Sequence, residues 1–191
     1  MKIIDAINSA KGKRLVNKAS KYAEEKHKDQ YRKFDGEPYV KHPKRVADIL
    51  KKYKNSKEIY KLTAAALLHD TIEDTTANEK ELKKKFGKLV TSLVKELSSD
   101  KEEMKEKGGK RKYLAHKTQN MSSWALVIKL ADRLDNVSDF KTASPEFVKS
   151  YSKQTNYILD ELEKNRKLSN TQKRLVGDIR KKMNEVKSEK K

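Results

Sequence analysis

Cysteine is missing from all 191 residues. That excludes disulfides, thiolate metal sites and cysteine nucleophiles, and it fits a reducing compartment such as the cytoplasm. No apolar run reaches the roughly 18 residues that a membrane-spanning helix requires. The N-terminus, MKIIDAINSAKGKRL, lacks the apolar stretch of a secretory leader. Internal repeats, a second-domain boundary and convincing strand patterns are also absent. The expectation is one cytoplasmic all-α domain over residues 1–186, with 187–191 as a basic, frayed tail.

Charge is what the chain has in excess. Charged residues make up 39% and hydrophobic residues 35%. The 47 Lys and Arg outnumber the 28 Asp and Glu, for a formal net charge of +19. Such a balance favours anionic partners. The lysines are spread along the chain rather than clustered, as on solvated helix faces. Charge alone therefore does not identify a nucleic-acid binder, and no specific nucleic-acid partner is expected.

Helical periodicity runs through most of the length. A first helix carries Leu15, Ala19, Tyr22 and Ala23 and reaches about His27. The stretch DQYRKFDGEPYVKHP follows as a loop. Pro43 suits the first turn of a second helix, with Val46, Leu50 and Tyr53 inside. A third helix runs from about Lys57 through LTAAALLHD. Thr76 and Glu79 suggest a capping box opening a fourth, which Gly87 stops. Leu89 to Leu97 carry a fifth. SSDKEEMKEKGGKRK reads as a mobile connection. A sixth helix holds WALVIKLADRLDNV. Pro145 begins a seventh with Phe147, Tyr151, Ile158, Leu159 and Leu162 inward, and Leu175, Val176, Ile179, Met183 and Val186 mark the last.

Chemistry concentrates where apolar helices run into charge. In AAALLHDTIEDTT, His69 and Asp70 end an apolar stretch, and Glu73 and Asp74 follow within a turn. Imidazole and carboxylate are good ligands for divalent cations. A cation would also relieve the repulsion among three neighbouring carboxylates. His42 sits at a loop-to-helix junction before Pro43. Asp132 interrupts another apolar helix, on one face with Lys129 and Asn136. Taken alone, Asp132 reads as an ion pair with Lys129 or Arg133; with His42, His69 and Asp70, it reads as part of a metal site. The other polar residues have plainer readings. His27 packs or hydrogen-bonds locally at a helix end, His116 faces solvent, and Trp124 is a core anchor or a pocket wall.

The order His42, His69-Asp70, Asp132 resembles the HD superfamily of metal-dependent phosphohydrolases. The blocks HKDQYRKFDGEPYVKHPKRVADIL, AALLHDTIEDT, FGKLVTSLV and IKLADRLDNV are more narrowly similar to the hydrolase domain of RelA/SpoT homologues, and specifically to stand-alone small alarmone hydrolases. The resemblance covers about residues 15–160. It implies an all-helical bundle and a single Mn²⁺ held by His42, His69, Asp70 and Asp132. It assigns Glu73 and Asp74 to water activation, and nucleotide contacts to Arg32, Lys33, Lys129, Arg133, Asn136 and Tyr151. Asp135 and Phe34-Asp35 depart from the family pattern, at positions that bear on base or ribose recognition.

The activity implied is hydrolysis of the 3′-pyrophosphate of ppGpp or pppGpp to GDP or GTP. Alternatives are another phosphohydrolase activity on the same scaffold, such as removal of the 2′-phosphate of NADPH, or a nucleotide- or nucleic-acid-binding protein with little catalysis. A homo-oligomer is left open.

Overall fold

The computed structural model describes the backbone of residues 2–189 and the side chains of residues 7–185. The side chains of Val186 and of the expected tail, 187–191, lie outside that range. Among the described residues the secondary structure is helical, with no strand; an isolated antiparallel bridge pairs Tyr31 with Pro38. The chain divides into two compact units, Met1–Arg32 with Gly36–Ser98, and Lys33–Asp35 with Ser99–Lys191.

The first unit is organised around its most apolar helix. It contains α1 (Lys2–Lys26), α2 (Lys41–Tyr53), α3 (Ile59–Leu68), the single turn α4 (Thr71–Asp74) and α5 (Glu79–Leu97). From Leu62 onward α3 carries no charged residue on any side, and such a stretch has to be enclosed: every residue from Leu62 to Leu68 is buried. It packs against α1, α2 and α5. These supply Ala19 and Ala23, Val46 and Leu50, and Leu82, Val90 and Val94, all fully buried. Small residues bring the helices close: a Cβ on Gly12 of α1 would stand 2.2 Å from the Tyr60 ring of α3.

Two expectations change at α5. Its N-cap is Asn78, whose side chain accepts the Glu81 N–H at 3.0 Å, and not Thr76 paired with Glu79. The Thr75 hydroxyl donates to Thr71 O and accepts from Ala77 N–H. That turn holds the chain out of helix until Asn78. The expected fourth and fifth helices are the two halves of α5. Gly87 breaks the helix between them with φ +83°, a conformation that glycine adopts without a Cβ penalty.

The second unit contains α6 (Lys101–Glu106), α7 (Lys110–Asn120), α8 (Ser123–Ser138), a 3₁₀ turn (Asp139–Lys141), α9 (Pro145–Asn165) and α10 (Asn170–Glu189). Helix α8 packs on α10, and α7 on α9. The stretch expected to be a mobile connection is instead α6 and the start of α7. Asp100 caps α6 by accepting the N–H groups of Glu102 and Glu103. Its own N–H donates to the buried Tyr113 hydroxyl at 2.8 Å. Tyr113, Leu114 and Ala115 form a small core with Ile158, and Met104 packs against it. A few anchors set among lysines hold the segment, too few to give a periodic pattern. Pro145 opens α9 as expected, capped by Ser144. Phe147, expected inside, is 36% exposed: it lies on α9's first turn, and the buried position there is Val148.

Candidate metal centre

In the first unit, the end of α3 answers why an apolar helix should run into polar residues. The last carbonyls of an α-helix have no intrahelical donors, and here side chains supply them. The Thr71 hydroxyl donates to Leu68 O at 2.7 Å. His69 Nδ1 lies 2.8 Å from Ala66 O. A carbonyl can only accept, so Nδ1 carries the proton, and in the neutral ring Nε2 presents a lone pair. The helix then restarts: Asp74 N–H donates to Asp70 O at 2.9 Å. This turn of α4 places Glu73 and Asp74 just beyond the His69-Asp70 pair.

His42 arrives from a different segment. It lies in the first turn of α2, and its N–H donates to Tyr39 O at 2.9 Å. His42 and His69 are each 2% exposed, with ring centroids 5.2 Å apart. Both Nε2 atoms face one carboxylate oxygen: Asp70 Oδ2 is 3.6 Å from that of His42 and 3.0 Å from that of His69. Donor atoms of these three residues lie within 4.8 Å of one another. Two ligands about 2.1 Å from one ion stand about 3 Å apart when they subtend a right angle. The spacing and the donor set therefore both suit a divalent cation. The Tyr39 hydroxyl donates to Asp70 Oδ2 at 2.6 Å.

Glu73 and Asp74 are exposed. The Asp74 carboxyl is nevertheless crowded enough to be pushed above its ordinary range, by partial burial first, then by the charges of Asp70 and Glu73; His27 and His69 pull the other way. His27 is buried at the end of α1 and packs on the Tyr39 ring at 4.9 Å. Its Nδ1 lies 2.7 Å from Gln30 Oε1, the local role read from the sequence. Arg32 is half-buried. Its N–H donates to Glu37 O and its carbonyl accepts from Gly36 N–H, across a turn in which Gly36 has φ +68°.

The remaining expected residues belong to the second unit. Asp132 is buried on α8, with Lys129 Nζ 2.8 Å from Oδ2 and Asn136 Nδ2 donating to Oδ1 at 2.6 Å. The shared face inferred from their spacing is thus present, as is the Lys129 ion pair that Asp132 alone suggested. Buried Arg133 donates to Thr155 Oγ1 at 2.8 Å, and its guanidinium lies 5.1 Å from the centroid of the half-buried Tyr151 ring. Asp135 is buried, Lys33 exposed and His116 exposed, as His116 was expected to be; Trp124 is half-buried. Phe34 is 38% exposed and touches Phe147, with centroids 4.6 Å apart.

The structure thus gathers three of the expected ligands, His42, His69 and Asp70, and reveals Tyr39 and Gln30 beside them. Periodicity carries no trace of those two, because they lie in a loop; the nearest hint is that Tyr39 precedes His42 by three residues.

The HD domain family model matches residues 19–167. The chain is 40% identical over 134 residues to the Xenopus tropicalis guanosine-3′,5′-bis(diphosphate) 3′-pyrophosphohydrolase MESH1, covering 69% of this chain and 73% of the relative. It is 36% identical over 149 residues to the Aquifex aeolicus guanosine-3′,5′-bis(diphosphate) 3′-pyrophosphohydrolase, covering 73% of this chain but only 20% of that longer relative. A solved structure described as a metazoan ortholog of SpoT that hydrolyzes ppGpp matches with a TM-score of 0.72 and 30% identity, covering 87% of this chain and 94% of that one.

Proposed function

The chain belongs to the HD domain family, and on that premise we propose that it hydrolyses the 3′-pyrophosphate of ppGpp or pppGpp with the help of one divalent cation, giving GDP or GTP and pyrophosphate. The observation that carries this reading is the convergence of the His42 and His69 imidazoles on the Asp70 carboxylate, all within 4.8 Å. An oxygen–phosphorus bond forms from water, the bond from phosphorus to the 3′ oxygen breaks, and that oxygen takes a proton.

His42, His69 and Asp70 would hold the cation, with Mn²⁺ as the proposed ion. Asp132 is proposed as a further ligand on the family resemblance. Lys129 and Asn136 each take one of its oxygens, and a carboxylate oxygen keeps a second lone pair for another partner. When bound, such an ion acts as a Lewis acid that makes water a better nucleophile and polarises a phosphoryl oxygen. Glu73 is proposed to accept the proton of the attacking water, and Asp74 to support it. Both residues lie on the single turn of α4 that follows Asp70, which supports the reading, since a general base has to reach the proton it takes. Arg32, Lys33, Lys129 and Arg133 are proposed to neutralise the phosphates, and Asn136 and Tyr151 to contact the nucleoside. The proposed compartment is the cytoplasm. No helix among the described residues is long and apolar enough to cross a membrane.

The test is turnover of ppGpp, pppGpp, NADPH and deoxynucleoside triphosphates by the purified chain with Mn²⁺, products being resolved by chromatography. Release of pyrophosphate from ppGpp or pppGpp is expected. Release of phosphate from NADPH alone would move the assignment to a 2′-phosphatase. Undiminished turnover in EDTA would remove the cation from the reaction.

A further inference from the structure

The Asp70 carboxylate oxygen that faces both imidazoles has a third partner. The Tyr39 hydroxyl donates to Oδ2 at 2.6 Å, within the 2.5–2.7 Å expected of an O–H bond to an ionised carboxylate. The Tyr39 ring is itself held on two sides, by His27 at 4.9 Å and by His42 at 5.7 Å edge-on. Gln30 ties the arrangement together. Its side-chain NH₂ donates to Asp74 O at 2.8 Å, which leaves its amide oxygen to accept the His27 Nδ1–H at 2.7 Å. Its backbone carbonyl accepts the Tyr39 N–H at 2.8 Å. Gln30 thus fixes the His27 ring, the Tyr39 backbone and the turn that carries Glu73 and Asp74.

We propose that Tyr39 is a positioning residue for the cation site: its hydroxyl holds Asp70 Oδ2 where His42 and His69 meet it, and His27 and Gln30 brace it there. The inference rests on the reading of this cluster as a metal centre. Free rotation of the Asp70 carboxyl would spread its oxygens over orientations that do not face the imidazoles. A donor on Oδ2 removes that freedom before any ion arrives. Groups that orient a metal ligand in this way are typically worth about 10–100-fold in metal affinity. Tyr39 acts through Asp70, so its removal should weaken cation binding and leave the reaction of the loaded protein largely intact.

Tyr39→Phe removes only the hydroxyl and keeps the ring between His27 and His42. The full-length protein is stripped with EDTA and titrated with Mn²⁺, and free Mn²⁺ is read by electron paramagnetic resonance. The expected result is a Kd raised about 10–100-fold, with KM for ppGpp unchanged and kcat recovered at saturating Mn²⁺. The melting temperature of the metal-free variant should stay near wild type. A Kd within about twofold of wild type would overturn the inference, as would a fall in metal-free stability large enough to account for the weaker binding. His42→Ala removes a donor itself and should lose more affinity than Tyr39→Phe; the reverse order would also overturn it. If the wild-type protein binds no Mn²⁺, the metal-centre reading fails, a result distinguishable from equal binding by wild type and Tyr39→Phe.

Discussion

A carboxylate next to a cation can be a ligand or a base, and single substitutions separate the two at Asp70 and Glu73. Asp70 Oδ2 faces both imidazoles, whereas Glu73 is exposed on α4. Glu73→Gln keeps the size but cannot take a proton. Its kcat should fall by about 10²–10⁴-fold with metal content near wild type by elemental analysis, while Asp70→Ala should lose the metal. A Glu73→Gln protein without metal would make Glu73 a ligand. Asp74 offers a pH test in the metal-free protein. Its carboxyl is held above the ordinary range, first by burial and then by its acidic neighbours, so the folded chain keeps that proton more tightly than the unfolded chain. The favourable contribution is therefore complete below the ordinary Asp pKa of about 3.9, and it is lost as pH rises through the elevated value. Asp74→Asn should raise the melting temperature at neutral pH, and the gain should vanish near pH ~4. A gain that persists unchanged in acid would mean that the effect is not one of ionisation.

Among the elements, those with a regular apolar face could be read from the sequence, and those held by a few anchors could not. The buried run of α3, the inner faces of α2 and α8, and the break at Gly87 all follow from periodicity and from the glycine. Helices α6 and α7 did not show, because Met104, Tyr113 and Leu114 stand among lysines and their cohesion comes from the Asp100 cap and Ile158 of a distant helix. The cap of α5 lies two residues beyond the Thr76 that the sequence suggests, since Thr76 and Asn78 are both good cap residues and only the Thr75 turn decides between them. Asn78→Ala should cost about 1 kcal/mol in urea unfolding, and Thr76→Ala close to nothing. The opposite order would restore the Thr76 cap. At the site, His42, His69 and Asp70 were legible from residue type and order. Tyr39 and Gln30 were not, because their contacts with Asp70 and Asp74 close over 31 and 44 residues of chain. Gly12→Ala tests the close approach of α1 to α3. A methyl 2.2 Å from the Tyr60 ring forces one of them to move, at about 1–3 kcal/mol.

For the whole molecule, the +19 charge should draw any polyanion without reading it. Association with duplex or single-stranded nucleic acid should be weak and should fall steeply as salt rises, because it is driven by release of counterions. Tight, sequence-dependent binding at physiological salt would instead favour a binding module. The division into two compact units has a consequence in time. The residues that converge on Asp70 Oδ2, Tyr39, His42 and His69, all lie in a stretch of the first unit ending at residue 70. The helices that pack on α3 are complete by Leu97. A ribosome finishes that stretch before it begins α6, and at roughly 5–20 residues per second the rest of the chain takes several seconds more. A nascent chain thus has every residue of the three-donor cluster while most of the second unit is still untranslated.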